Sequence, residues 1–188
     1  MKYKVKFYSG YYSNRQKAAN NDKAICYYEQ HLNSAGADAV GIEVLICNNA
    51  STTSIKWAVA LANNYYSVLQ TRLRHGNGVV ELDKKNRGYG NLVSTTMPAI
   101  LGEPLFVSNP NEVALLVSDK MLGKLGKAVA DSIIHMFPDG GLVALSIGHK
   151  GKPKSADMGA DVVGQSKMEA DYAEDILVYA KGYLETAT

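Results

Sequence analysis

Residues 41–48 (GIEVLICN) form an apolar, β-branched run, and residues 51–54 (STTS) follow it almost directly. The run predicts a strand, and the hydroxyl side chains predict the N-terminal cap of a helix that we expect to reach about Leu73. A strand that leads straight into a long helix is typical of βα units, whose strands pair in parallel. This stretch therefore favours an α/β fold.

The same alternation continues along the rest of the chain. We expect strands at residues 5–9, 24–30, 78–82, 97–106 and 142–147, and helices at residues 14–23, 109–116, 120–136 and 168–183. No internal repeat and no interdomain linker interrupts this pattern. The prediction is a single α/β domain over residues 1–188, with a mostly parallel, twisted sheet covered by helices on both faces.

The charge and hydropathy of the chain argue against several functional classes. The 188 residues carry a formal net charge of +2, and the basic residues are scattered. We therefore expect neither nucleic-acid binding nor membrane-surface binding. The N-terminus (MKYKVK) lacks the apolar segment of a signal peptide, and no window of about 18 residues is apolar throughout. Cys26 and Cys47 lie in predicted strands and are expected to be buried free thiols.

Two histidines stand where predicted strands end. His31 follows residues 24–30, His149 follows residues 142–147, and Glu169 opens the last predicted helix. Because the carboxyl ends of parallel strands meet at one edge of a sheet, we expect the three side chains to converge. Two imidazoles and one carboxylate with an open fourth position are a catalytic zinc arrangement. Either histidine alone is more simply explained as a polar loop residue, and only the combination favours a metal site.

Glu103 is the second candidate for chemistry. It is the one charged residue in the run 97–106, and an unpaired carboxylate is costly to bury. We therefore expect it at the carboxyl end of its strand, facing a cleft, where it could take a proton from a metal-bound water. Glu29 shares a strand face with His31 and could either support that histidine or compete for the metal.

Residues 91–112 (NLVSTTMPAILGEPLFVSNPNE) resemble the catalytic segment of the zinc-dependent N-acetylmuramoyl-L-alanine amidases of the type 3 family. Three shorter parts resemble the zinc-ligand motifs of that family: residues 30–34 (QHLNS), residues 146–151 (SIGHKG) with 156–160 (ADMGA), and residues 168–171 (MEAD). The resemblance implies that His31, His149 and Glu169 bind zinc and that Glu103 is the general base. Asn33 and Thr96 lie in these segments and are candidate substrate contacts, although Asn33 could instead hold a loop turn.

The motif order differs from that of the family, in which the histidine and glutamate that here follow residue 145 come first. The chain therefore resembles a circularly permuted member, with the family's N-terminal part at about 141–188 and the remainder at about 1–137. Joining Thr188 to Met1 would connect the last helix to the first strand by a short loop, which is ordinary for an α/β fold. Residues 138–141 (PDGG) would bridge the family's usual ends.

The resemblance implies a Zn²⁺ enzyme that cleaves the amide between N-acetylmuramic acid and L-alanine of the stem peptide in peptidoglycan. Two alternatives stay open: a zinc peptidase that cuts within the stem peptide, and a metal-free relative that binds the cell wall without cutting it. Since the sequence shows no signal peptide, we expect either a phage endolysin released to the cell wall or a domain of a larger secreted protein.

Overall fold

Strands and helices alternate along most of the computed structural model, which describes residues 2–152 and 157–188. The strands are β1 (Tyr3–Tyr8), β2 (Cys26–Gln30), β3 (Glu43–Cys47), β4 (Val79–Leu82), β5 (Ala99–Glu103) and β6 (Gly141–Ile147). The helices are α1 (Tyr12–Asn21), α2 (Thr52–Leu69), α3 (Pro110–Leu116), α4 (Asp119–Met136) and α5 (Glu169–Thr186), with a 3-10 turn at Tyr89–Asn91. The predicted α/β fold is confirmed.

The six strands form one sheet in the order β1-β6-β2-β5-β3-β4. Neighbouring strands run parallel except β3 and β5, which are antiparallel and place Glu43 opposite Glu103. The carboxyl ends of β6, β2 and β5 therefore lie side by side at one edge of the sheet. His149 and His31 follow the ends of β6 and β2, and Glu103 is the last residue of β5.

Helices cover both faces of this sheet, as predicted. Helices α2, α4 and α5 pack over one face around Trp57, while α1 and the segment with the 3-10 turn cover the other. Alternation along β2 sends Tyr28 into the first layer and Tyr27 into the second. Cys26 and Cys47 are buried free thiols, as expected, and burial raises the pKa of both. No helix among the described residues is long and apolar enough to cross a membrane.

Three elements end three or more residues away from their predicted ends. The expected strand 97–106 is reduced to β5 because Pro98 and Pro104 flank it, and proline cannot donate to a sheet ladder. Helix α2 begins after the Ser51 cap, whose side chain accepts a hydrogen bond from the Ser54 amide, as predicted. It ends before Leu73 because Gln70 adopts a left-handed conformation with a φ of 54°. Helix α5 extends to Thr186, beyond the predicted end at residue 183.

Helices α4 and α5 approach each other closely at Gly126. A Cβ atom at this position would lie 2.6 Å from the Ile176 carbonyl oxygen and 2.6 Å from the Tyr179 Cβ. At Gly123, one turn earlier in α4, the added Cβ would lie 3.7 Å from the Tyr179 ring, an ordinary contact. The position of α5, and of Glu169 at its first turn, therefore depends on a side-chain-free surface at Gly126.

Gly126→Ala should destabilise the protein by about 1–3 kcal/mol, because the added methyl group overpacks the crossing of α4 and α5. Gly123→Ala is the matched control and should be neutral or stabilising by up to about 1 kcal/mol, since alanine favours a helix more than glycine does. Urea unfolding of the two variants measures the difference. Equal midpoints for the two variants would contradict a tight crossing at Gly126.

Candidate metal centre

Three side chains converge at the carboxyl edge of the sheet. His31, His149 and Glu169 offer donor atoms that lie within 4.8 Å of one another. Glu169 Oε1 lies 3.1 Å from His31 Nδ1 and 3.4 Å from His149 Nε2. Glu169 reaches this position because α5 begins at the same edge at which β2 and β6 end. The structure thus brings the predicted ligand set together, and its role in metal binding stays a prediction.

These donor atoms fit a small divalent cation. Zinc bonds of about 2.0–2.2 Å in a tetrahedral site place neighbouring donors about 3.3–3.6 Å apart. The two distances measured from Glu169 Oε1 are close to that spacing. Two imidazoles and one carboxylate also leave a fourth position for water or substrate, as in catalytic rather than structural zinc sites.

Two glycines make room for the converging side chains. A Cβ atom at Gly148 would lie 2.6 Å from both ring nitrogens of His31, and one at Gly159 would overlap Oε2 of Glu169. Gly159 also has a φ of +81°, which glycine adopts without strain. The motifs that contain these glycines therefore supply space as well as a ligand. Ala156, the first residue of the second motif, lies outside the described residues.

Buried charge couples the two histidines to Glu169. Burial alone would lower the pKa of His31, but hydrogen bonds to Glu169 and Glu29 outweigh it and raise that pKa to about 10. Burial alone would raise the pKa of Glu169, but hydrogen bonds to His149 and His31 hold it well below its usual range. The hydrogen bond to Glu169 also raises the pKa of His149. A metal that binds here must therefore displace protons from the imidazoles.

The other nitrogen of each histidine also faces a carboxylate. His31 Nε2 lies 2.8 Å from Glu29 Oε1, and His149 Nδ1 lies 2.8 Å from Asp157 Oδ1. Lys152 forms an ion pair with Asp157 and lowers the pKa of that carboxyl group. The sequence analysis did not identify Asp157, although it lies in the predicted motif 156–160. Its separation of eight residues from His149 matches no ligand spacing that would have indicated the contact.

A polar cleft of about 720 Å³ extends from the three side chains along the sheet edge. Glu103 lines it at the end of β5, as predicted, and burial raises the pKa of Glu103 to about 7. Asn33 lines it too, but its side chain donates to Glu43 Oε2 over 2.5 Å and accepts from the Ser34 amide. Asn33 therefore holds the loop after β2, in agreement with the alternative to a substrate contact.

Thr96 does not line this cleft. Its amide and hydroxyl groups bond to Asn20 Oδ1, and it borders a separate depression of about 250 Å³ that also contains Ala99. Ala99 is the first residue of β5, so Thr96 lies at the end of the strand opposite to Glu103. The structure therefore does not bring Thr96 together with the converging side chains, and its contact with substrate stays a prediction.

Comparison with protein families matched residues 4–135 to the family described as N-acetylmuramoyl-L-alanine amidase (Amidase_3). The matched segment contains His31 and Glu103. His149 and Glu169 lie beyond it, on the part of the chain that forms β6 and α5.

Solved amidase structures are similar to this chain. The N-acetylmuramoyl-L-alanine amidase from Clostridium difficile 630 is 26% identical with a TM-score of 0.60, over 68% of this chain and 66% of that one. The catalytic domain of the amidase CwlV from Bacillus (Paenibacillus) polymyxa var. colistinus is 24% identical with a TM-score of 0.58, over 68% and 66%. The catalytic domain of the CD27L endolysin targeting Clostridia difficile is 24% identical with a TM-score of 0.51, over 66% and 62%.

The chain thus spans about two thirds of the length of these structures or slightly less. No curated protein matched the chain. The family match nevertheless takes in residues 4–135 of 188, well over half of the sequence, and it includes a histidine and a glutamate of the cleft. On this evidence the chain belongs to the N-acetylmuramoyl-L-alanine amidase family.

Proposed function

We propose that the protein is a zinc-dependent peptidoglycan hydrolase that cleaves the amide between N-acetylmuramic acid and L-alanine of the stem peptide. The observation that carries this proposal is the meeting of His31, His149 and Glu169 in a cleft shared with Glu103, within a chain of the amidase family. The first three side chains would hold the zinc ion. Zinc bound there supplies Lewis-acid polarisation and lowers the pKa of a bound water toward about 7.

Glu103 is suited to move the protons of this reaction. It ends β5, the strand next to β2, and faces the cleft that His31 also lines. A pKa of about 7 allows its carboxylate to accept a proton near neutral pH and to release it again. Glu103 would take one proton from the attacking water and deliver it to the amine of L-alanine as the C–N bond breaks. The lactyl carbonyl carbon gains the hydroxyl group of the water and becomes a carboxylic acid, which at neutral pH passes its proton to the released amine.

This activity would be used at the bacterial cell wall. A phage endolysin released to the wall, or a catalytic domain within a larger secreted protein, would each meet peptidoglycan there. The cleft is open to solvent along the sheet edge and lined mostly by polar groups, which suits a glycopeptide substrate.

Glu103→Gln should reduce hydrolysis of purified peptidoglycan by about 10²- to 10⁴-fold, because the variant cannot accept the proton. Zinc content should remain near one ion per chain, since Glu103 is not among the three converging donors. Turbidity loss and metal analysis measure the two effects. Glu81→Gln is the control, because Glu81 is exposed on β4 and lies outside the cleft. This variant should hydrolyse peptidoglycan at the wild-type rate. Near wild-type clearing by Glu103→Gln would contradict the assigned base.

The digestion products distinguish the amidase from its alternatives. Mass spectrometry of a wild-type digest should show peptides with a free L-alanine amine and glycans with a free lactyl carboxylate. Peptides cut within the stem would instead identify a zinc peptidase. Wall binding without zinc uptake or cleavage would identify a binding-only relative.

Glu103→Gln should also change the pH dependence of stability in the metal-free protein. The pKa of Glu103 is raised from 4.5 to about 7 by burial, so the folded state favours the protonated form. The contribution of Glu103 to the free energy of unfolding is fully present below pH 4.5 and is lost as the pH rises through 7. The glutamine variant should therefore be more stable than the wild type at pH 8.5 and equally stable at pH 4.5. Urea unfolding in the presence of chelator tests this, and a variant less stable at pH 8.5 would contradict it.

We further propose that the chain is circularly permuted relative to its family. The family match ends at residue 135, yet the residues beyond it return to the same site as β6 and α5. Helix α5 has 18 residues, so it spans about 27 Å and can reach the amino edge of the sheet. Strand β1 begins at that edge, with Tyr3 opposite Gly141 of β6. The path β6, α5, β1 is thus the path of a parallel βαβ unit.

A rearranged chain tests this proposal. It would begin at Pro138, end at Phe137 and join Thr188 directly to Met1, so that about four existing residues connect α5 to β1. We expect it to fold and to bind zinc with the affinity of the original chain, because both altered connections lie at the edge away from the cleft. A control chain with new ends inside β2 should not fold, because it interrupts the centre of the sheet. Failure of the first chain to fold would contradict the permutation.

A further inference from the structure

Glu29 and Arg15 form a fully buried ion pair beside the candidate metal centre. Glu29 is 0% exposed and Arg15 is 3% exposed. Arg15 Nη2 donates to Glu29 Oε1 over 2.5 Å. An ion pair at this depth usually adds little stability compared with apolar side chains of the same size, because both charges lose their hydration. Arg15 Nε has no hydrogen-bond partner among the described residues, so the pair is not fully satisfied. Stability alone is therefore a poor explanation for it.

Among the described residues, hydrogen-bond donors contact both oxygens of the Glu29 carboxylate. The Tyr27 hydroxyl donates to Oε2 over 2.9 Å, and the Asn91 amide donates to Oε1 over 2.9 Å. With Arg15, these donors come from β2, the 3-10 turn and α1. The carboxylate is thus fixed in orientation by three separate elements of the fold.

The remaining contact of Glu29 is to His31. Glu29 Oε1 lies 2.8 Å from His31 Nε2. Glu29 Oε1 also accepts from Arg15 and Asn91, so it acts as an acceptor toward Nε2, which keeps its proton. Nδ1 lies 3.1 Å from Glu169 Oε1, and the proton on Nδ1 is the one that a metal between these two atoms would displace. Ligand histidines commonly donate their second N–H to a carboxylate, which fixes the ring and its tautomer.

We propose that Glu29, held by Arg15, is a positioning residue that orients His31 so that Nδ1 faces the metal. Glu29 is not among the three described side chains whose donor atoms converge. Its Oε1 accepts from Arg15, Asn91 and His31, and its Oε2 accepts from Tyr27. Of the two roles that the sequence left open for Glu29, this proposal takes the one in which it supports His31. The inference rests on the zinc site of the proposed function.

The test compares zinc affinities, measured by competition with a chromophoric chelator. Glu29→Gln alone would leave Arg15 buried without its counter-charge and can fail to fold. The double variant Arg15→Met/Glu29→Leu removes both charges and should remain folded. We expect it to bind zinc 10- to 100-fold more weakly than the wild type, about the loss seen when such carboxylate partners are removed. The control is Lys127→Met/Asp131→Leu, which removes an exposed pair of 2.7 Å on α4 and should leave the affinity unchanged.

A merely structural role predicts the opposite pattern: reduced unfolding stability with unchanged zinc affinity, and that result would overturn the inference. A second readout is ¹⁵N NMR of the imidazole nitrogens in the zinc-loaded wild type. We expect His31 to carry its proton on Nε2 and to bind the metal through Nδ1. Metal on Nε2 would also overturn it. If the wild type binds no zinc at all, the proposed function fails. If the wild type binds zinc and the double variant binds equally well, only the role of Glu29 fails.

Discussion

The parallel pairing of β2 with both β6 and β5 is the constraint on which the rest of this structure depends. Ile147 stands opposite Gln30, and Gln30 opposite Gly102. The ladder continues past the strand ends, since the Gly148 amide donates to the Gln30 carbonyl and the His31 amide to the Gly102 carbonyl. The residues that follow therefore emerge at one level of the sheet edge. A slip of one residue in either pair would send a ligand to the opposite face.

A buried polar cluster supports this edge from the face covered by α2. Gln30 Oε1 accepts from the hydroxyl groups of Tyr28 and Tyr65, and Gln30 Nε2 donates to the carbonyls of His31 and Gly102. Gly102 lacks a side chain at the point where one would overlap the Tyr28 hydroxyl. The cluster fixes α2, β2 and β5 relative to one another. The ion pair between Glu29 and Arg15 lies on the opposite face of the sheet. Polar contacts on both faces therefore fix β2, the strand that leads into His31.

Much of this arrangement followed from local patterns. The runs of apolar residues predicted the strands, and the positions of His31, His149 and Glu103 at or after their ends predicted one shared edge. Thr96 lies away from the cleft although it is close in sequence to Glu103, because β5 separates the two residues and five strand residues span about 17 Å. Arg15 and Asn91 were not identified from the sequence as partners of Glu29. Their contacts with Glu29 join positions 14 and 62 residues apart, so no local sequence pattern indicates them.

The sequence by itself determined the alternation of strands and helices, the strand-end positions of the candidate ligands and the type of donor at each, because these depend on neighbouring residues. Only the tertiary structure decided which ring nitrogen of each histidine faces Glu169, which carboxylate holds the other nitrogen and which side chains share the cleft. These depend on contacts such as that between His31 and Glu169, 138 residues apart. Such a contact exists only after the sheet has set its register, so no local pattern contains it.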